Sequence, residues 1–272
     1  TTGECATLSS EDWQAAAECV AATVNKRVPL FIGATALGTH EIVKRLRLVR
    51  DLGADGTILG MPMWQPFTLP MAVEYYATIS EAFPDLAIMV YGNERAFRFR
   101  FPVAFWKQIV ERAPTVITTK HSNPALHLTL THVTKNRIAF LPHVVGAYTQ
   151  ARIDPDTTKA LWSTDASMGP APALALMEAI LAQDWQKARE INDELGWALQ
   201  TFFPPGGFEE FGSYNIQLEK IRFDAAGYCK AGPIRPPYNI VPEAYAEGAR
   251  ECGRRWAQLQ QKYAAAMAKA TA

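Results

Sequence analysis

Val116-Ile117-Thr118-Thr119-Lys120 places a lysine at the end of a run of strand-forming residues. Desolvating an unpaired ammonium is costly. A lysine at the rim of an apolar cavity is therefore expected to give up its proton readily, and the neutral amine can condense with a ketone to form an imine. Tyr91 ends a second such run, 86–91. If the two runs are successive strands, phenol and amine lie side by side. The phenol can then move protons to and from the carbinolamine. Thr1-Thr2-Gly3-Glu4 offers hydroxyls and backbone N–H groups able to hold a small carboxylate without a full positive charge. Plainer roles stay open. Lys120 can snorkel to solvent or pair with a carboxylate. Tyr91 can be a core aromatic with its hydroxyl satisfied by backbone, and Thr1-Thr2-Gly3 can be a simple turn. His143, just before Val144-Val145, reads best as a structural histidine, and Trp64 can be packing.

Such residues need elements to aim them. Apolar runs at 29–33, 57–59, 86–91, 116–120, 138–141 and 159–162 read as strands. Helical patterns lie between them, one opening at Ser9-Ser10 with Trp13 and Ala17 on its apolar face, another at Thr39 with Ile42, Leu46 and Val49. Continuous apolar strands alternating with helices predict an α/β fold with a parallel sheet. The regular spacing favours a (β/α)8 TIM barrel over an open doubly wound sheet. In such a barrel the chemistry sits at the carboxyl ends of the strands, here Thr1, Thr2, Thr35, Met63, Trp64, Tyr91, Lys120, His143 and Ser163. From 171 onward the pattern is helical, over 171–183, 185–202 and 240–263, with Pro/Gly-rich linkers at Phe203-Pro204-Pro205-Gly206-Gly207 and around Pro236-Pro237. The expected organisation is a barrel over 1–170 and a three-helix appendix over 171–272. Because six strands are legible and the chain opens at Thr1 without an initiator Met, an amino-terminal segment with two further strands is expected to precede it.

Composition narrows the function. The chain has 272 residues, and its 27 Lys and Arg balance its 27 Asp and Glu, which argues against nucleic acid and anionic membrane surfaces as partners. No apolar run is long enough to span a bilayer, and no secretory leader is visible. Cys5, Cys19, Cys229 and Cys252 are scattered, as reduced thiols of a cytoplasmic protein would be. With no Gly-rich phosphate loop and no clustered metal ligands, no cofactor is expected.

Taken in order, Thr1-Thr2-Gly3-Glu4, Tyr91, Lys120 and the helical appendix resemble the pyruvate-dependent class I aldolases, the dihydrodipicolinate synthase and N-acetylneuraminate lyase superfamily. The resemblance implies an imine between Lys120 and pyruvate, a proton shuttle at Tyr91, and a pyruvate carboxylate held by Thr1 and Thr2. It also implies a homo-oligomer, a tetramer. Gly3-Glu4-Cys5-Ala6-Thr7-Leu8, Gly60-Met61-Pro62-Met63-Trp64, Phe140-Leu141-Pro142-His143, Tyr214-Asn215-Ile216 and Lys230-Ala231-Gly232-Pro233 are similar to the hydratase-aldolases of polycyclic aromatic degradation. These imply an ortho-substituted trans-benzylidenepyruvate, aryl-CH=CH-CO-COO⁻, as substrate. The o-hydroxy compound, giving salicylaldehyde and pyruvate, comes first; the 2'-carboxy compound is the alternative.

Trp64 stands where the synthase carries a second tyrosine, and an indole suits stacking on an aryl ring. Asn215 is the expected contact for the ortho group or the water, and Ser163 a further substrate contact. Ala96 falls where the synthase has a carboxylate-binding arginine. His121-Ser122-Asn123-Pro124 differs from the naphthalene-pathway pattern and leaves the ortho group open. Three rivals are weaker. Trp64 argues against a dehydratase or synthase acting on sugar acids or semialdehydes. Intact Lys120 and Tyr91 argue against a keto-acid sensor. A metal-dependent aldolase barrel would need more strand-end ligands than His143.

Overall fold

The computed structural model describes residues 2–120 and 123–270. They fall into two compact units, one of Gly3–Pro142 and the other running from His143 to the carboxy-terminal end together with Thr2.

The first unit opens with α1 (Ser10–Val24), whose N-cap Ser9 accepts from the Asp12 N–H and which Asn25 closes in the left-handed conformation. Next come α2 (Thr39–Asp51), β1 (Gly56–Leu59), α3 (Leu69–Ala82), β2 (Ala87–Tyr91), the single turn α4 (Glu94–Phe97), α5 (Val103–Arg112), β3 (Val116–Lys120), α6 (His127–Val133) and β4 (Ala139–Leu141). The four strands form one parallel sheet in the order β1-β2-β3-β4. Buried Leu59, Ile88, Val90, Val116 and Phe140 tie the sheet to the helices, as parallel strands covered by helices require. An aromatic run through Tyr76, Phe105, Trp106 and Phe140 continues that core through edge-to-face contacts. The buried threonines of β3 are satisfied by neighbouring strands: Thr119 Oγ1 donates to the Val90 carbonyl at 3.0 Å and Thr118 Oγ1 to that of Ala139 at 2.8 Å.

Two expected strands reduce to single bridges. Phe31 pairs in parallel with Gly56 alone. Pro29 lacks a donor, and the Leu30 carbonyl takes the N–H groups of both Asp55 and Gly56. In the second unit, the expected strand 159–162 leaves only the pairing of Trp162 with His143.

That unit contains α7 (Val144–Ile153), α8 (Ala171–Leu181), α9 (Trp185–Leu199), α10 (Gly207–Ala226) and α11 (Glu243–Ala270). Among the described residues from Ala171 on there are four helices rather than three, because α10 occupies a stretch that reads as a linker. Its buried face mixes Phe211, Leu218 and Phe223 with Gln217, Glu219 and Arg222, so polar residues break the apolar stripe that signals a helix. No helix among the described residues is long and apolar enough to cross a membrane.

Candidate active site

Parallel register sets Tyr91 directly opposite Lys120, the last residues of β2 and β3. The Lys120 Nζ lies 4.8 Å from the centroid of the Tyr91 ring, over its face. Both side chains are half-buried. The other edge of the Tyr91 environment is Phe97, T-shaped to it with ring centroids 5.5 Å apart. Gly92 keeps the backbone uncrowded here: a Cβ there would sit a tight 3.0 Å from the Lys120 carbonyl oxygen. Immediately beyond, the Asn93 N–H donates to the Tyr91 carbonyl at 2.9 Å, folding the chain back on itself.

The segment after β1 is pinned at several points. Tyr76 Oη donates to the Leu59 carbonyl at 2.9 Å and Tyr75 Oη to that of Gly60 at 3.1 Å. Burial pushes both phenols up from the ordinary tyrosine range, so they remain donors. The Gly60 N–H donates to Thr35 Oγ1 at 2.9 Å. Arg98 Nη2 donates to the carbonyls of Met63 at 2.8 Å and Trp64 at 2.7 Å. Trp64 rides on this anchored loop as a residue 80% exposed. Beside it is an open cleft of about 460 Å³ whose walls include Leu37, Pro62, Phe67 and Met71.

Of the remaining candidates, Thr1, His121 and Ser122 lie outside the described residues, and Asn123 is exposed. Thr2, Ser163 and Asn215 belong to the second unit. Thr2 and Asn215 are half-buried there, with Asn215 on α10 one turn before Glu219. Ser163 Oγ donates to Asp165 Oδ2 at 2.7 Å and accepts from the Asp165 N–H at 3.1 Å, so its proton is directed at a carboxylate of its own chain. His143 is the N-cap of α7, accepting from the Val145 N–H, and it packs edge-on against Trp162. Its Nε2 is 3.8 Å from Asp165 Oδ2.

Behind Ser163 is a buried charge cluster with no sequence signature. Arg222 bonds to Asp165, to Thr164 Oγ1 at 2.9 Å and to Glu219 Oε2 at 2.6 Å. Burial alone would raise the Asp165 carboxyl; the Arg222 guanidinium, with help from His143 and Ser163, holds it below the usual carboxylate range. Burial pushes the neighbouring Cys252 thiol up to about 11, which makes it a packing group. Among the described residues no three His, Cys, Asp or Glu side chains are arranged as metal ligands.

The chain belongs to the Dihydrodipicolinate synthetase family, which it matches over residues 1–195. It shares that family's (β/α)8 fold with a carboxy-terminal helical appendix. Within the family it is similar to the trans-O-hydroxybenzylidenepyruvate hydratase-aldolase of Pseudomonas aeruginosa, 44% identical over 97% of this chain and 79% of that one. It is also similar to the trans-2'-carboxybenzalpyruvate hydratase-aldolase of Nocardioides sp. (strain KP7), 36% identical over 99% of this chain and 82% of that one. Among solved structures, PhdJ bound to a substrate intermediate superposes with a TM-score of 0.92 at 37% identity, covering 96% of this chain and 82% of that one.

Proposed function

We propose that this chain is an imine-forming hydratase-aldolase that cleaves trans-o-hydroxybenzylidenepyruvate with water to salicylaldehyde and pyruvate. It is a carbon–carbon lyase. The observation that carries the reading is the pairing of Tyr91 with Lys120, amine over phenol ring, at the ends of adjacent parallel strands. The higher identity to the hydroxybenzylidenepyruvate enzyme than to the carboxybenzalpyruvate enzyme favours the hydroxyl group, with the 2'-carboxy substrate as second choice.

In this reading the neutral Lys120 amine adds to the ketone, and the carbinolamine loses water to give an iminium, with Tyr91 moving the protons. Conjugation through the alkene makes the benzylic carbon electrophilic. Water adds there, and a proton taken up at the adjacent carbon gives the β-hydroxy iminium. Tyr91 accepts the hydroxyl proton, directly or through water. The carbon–carbon bond breaks, its electrons pass to the iminium as an enamine, and the aldehyde leaves. Protonation and hydrolysis of the enamine release pyruvate and restore Lys120. The iminium is the electron sink, so no metal or organic cofactor is required.

Thr1 and Thr2 are assigned to the pyruvate carboxylate, Trp64 to the aryl ring, Asn215 to the ortho group or the water, and Ser163 to a further substrate contact. The barrel over 1–170, the appendix over 171–272, a cytoplasmic location and a homotetrameric assembly complete the proposal. Borohydride reduction in the presence of pyruvate, with peptide mass spectrometry, is expected to place one pyruvyl adduct on Lys120, and excess chelator is expected to leave activity intact. Lys120→Ala should lose both adduct and turnover; trapping that persists in this variant overturns the assignment.

A further inference from the structure

We propose that Asn93 is a positioning residue for the proton shuttle, holding the Tyr91 phenol by a hydrogen bond whose direction is fixed by the cap of α4. This rests on the imine-forming role of Tyr91 and Lys120 proposed above. Asn93 is the N-cap of α4, and its Oδ1 accepts from the Ala96 N–H at 3.0 Å. That contact settles which end of the amide is which, because a backbone N–H must meet the oxygen. The other end, Nδ2, lies 3.2 Å from Tyr91 Oη and can only donate. The phenol oxygen therefore accepts from Asn93 and must send its own proton in another direction.

The geometry follows from the local chain. Gly92 lets the turn close against the end of β3, and the Asn93 N–H bond to the Tyr91 carbonyl turns the chain so that the Asn93 amide reaches the Tyr91 hydroxyl. Phe97, one turn further along α4, presses on the ring from another side. One short segment thus sets both the seating of the ring and the polarity of its hydroxyl.

The test separates cap from donor. Asn93→Ser keeps a capping oxygen but is too short to reach the phenol. Asn93→Asp keeps the cap and turns the donor into a charged acceptor. Each full-length variant is compared with the parent in three ways: exchange of pyruvate methyl protons in D2O by NMR across pH, borohydride trapping of pyruvate, and melting temperature. Exchange is expected to fall about tenfold or more in both variants. Trapping stoichiometry and melting temperature should be kept. Parental exchange rates in both variants overturn the proposal, as does a loss matched by loss of trapping and of melting temperature.

Exchange needs pyruvate alone. A parent chain that exchanges pyruvate protons but does not cleave the benzylidenepyruvate would overturn the substrate and leave Asn93 standing. A parent that does not exchange overturns both.

Discussion

At the scale of single residues, Tyr91 does two jobs that substitution can part. Its ring is an aromatic surface between Phe97 and the Lys120 amino group, and its hydroxyl is the proposed proton carrier. Tyr91→Phe keeps the first and removes the second. Turnover is expected to fall about 10²–10⁴-fold, the range of a lost general acid–base group, while the melting temperature holds because the ring contacts remain. A parental kcat would take the shuttle role away from Tyr91. Both residues were legible in the sequence because side-by-side placement follows from parallel pairing of consecutive strands, which the βα spacing dictates. Asn93 was not legible. Its contact depends on a three-residue turn and on a one-turn helix, and no periodicity announces either.

At the scale of elements, the segment after β1 and the turn around α4 are built against each other. Phe97 occupies the space a side chain at position 60 would need: a Cβ on Gly60 would fall 2.0 Å from its ring. Arg98, the left-handed C-cap of α4, reaches the two carbonyls that carry Met63 and Trp64. Arg98→Ala is expected to raise KM for the aryl substrate roughly fivefold to thirtyfold, the equivalent of losing about 1–2 kcal/mol of hydrogen bonding to a charged group. Pyruvate proton exchange should be unaffected. Arg98→Lys should recover part of the loss, because one nitrogen serves both carbonyls. An unchanged KM would mean that Trp64 is held by other contacts or does not meet the aryl ring. The Trp64 loop was visible in the sequence as a distinctive string, but Arg98, which holds its carbonyls, is thirty-odd residues away. Likewise α10 escaped reading because Glu219 and Arg222 sit where a helix stripe would be apolar.

At the scale of the whole molecule, two apolar cores coexist, and the second surrounds a charge cluster that makes stability depend on acidity. Asp165 has a lower pKa folded than in the unfolded chain, where an aspartate titrates near 3.9. Its contribution is therefore full above about pH 4 and is lost as pH falls through the lower, folded value. Urea midpoints are expected to be flat near neutrality and to drop on acidification below about pH 4. The Asp165→Asn variant should be less stable at neutral pH and show a shallower acid drop; equal slopes would place the acid sensitivity elsewhere. Arg222→Met, which leaves two buried carboxylates without their cation, should cost about 3–5 kcal/mol at neutral pH.

The glycine at position 60 and the phenylalanine at 97 also bear on descent. Each is shaped to the other, and Arg98 adds a second tie across the same gap. A recombination breakpoint between residues 64 and 91 would join a ring-bearing loop from one parent to a foreign turn from the other. The chimera would inherit a mismatch right beside its phenol. The two stretches are therefore expected to travel together when substrate range diverges, and libraries that shuffle these enzymes should keep more active members when both come from one parent.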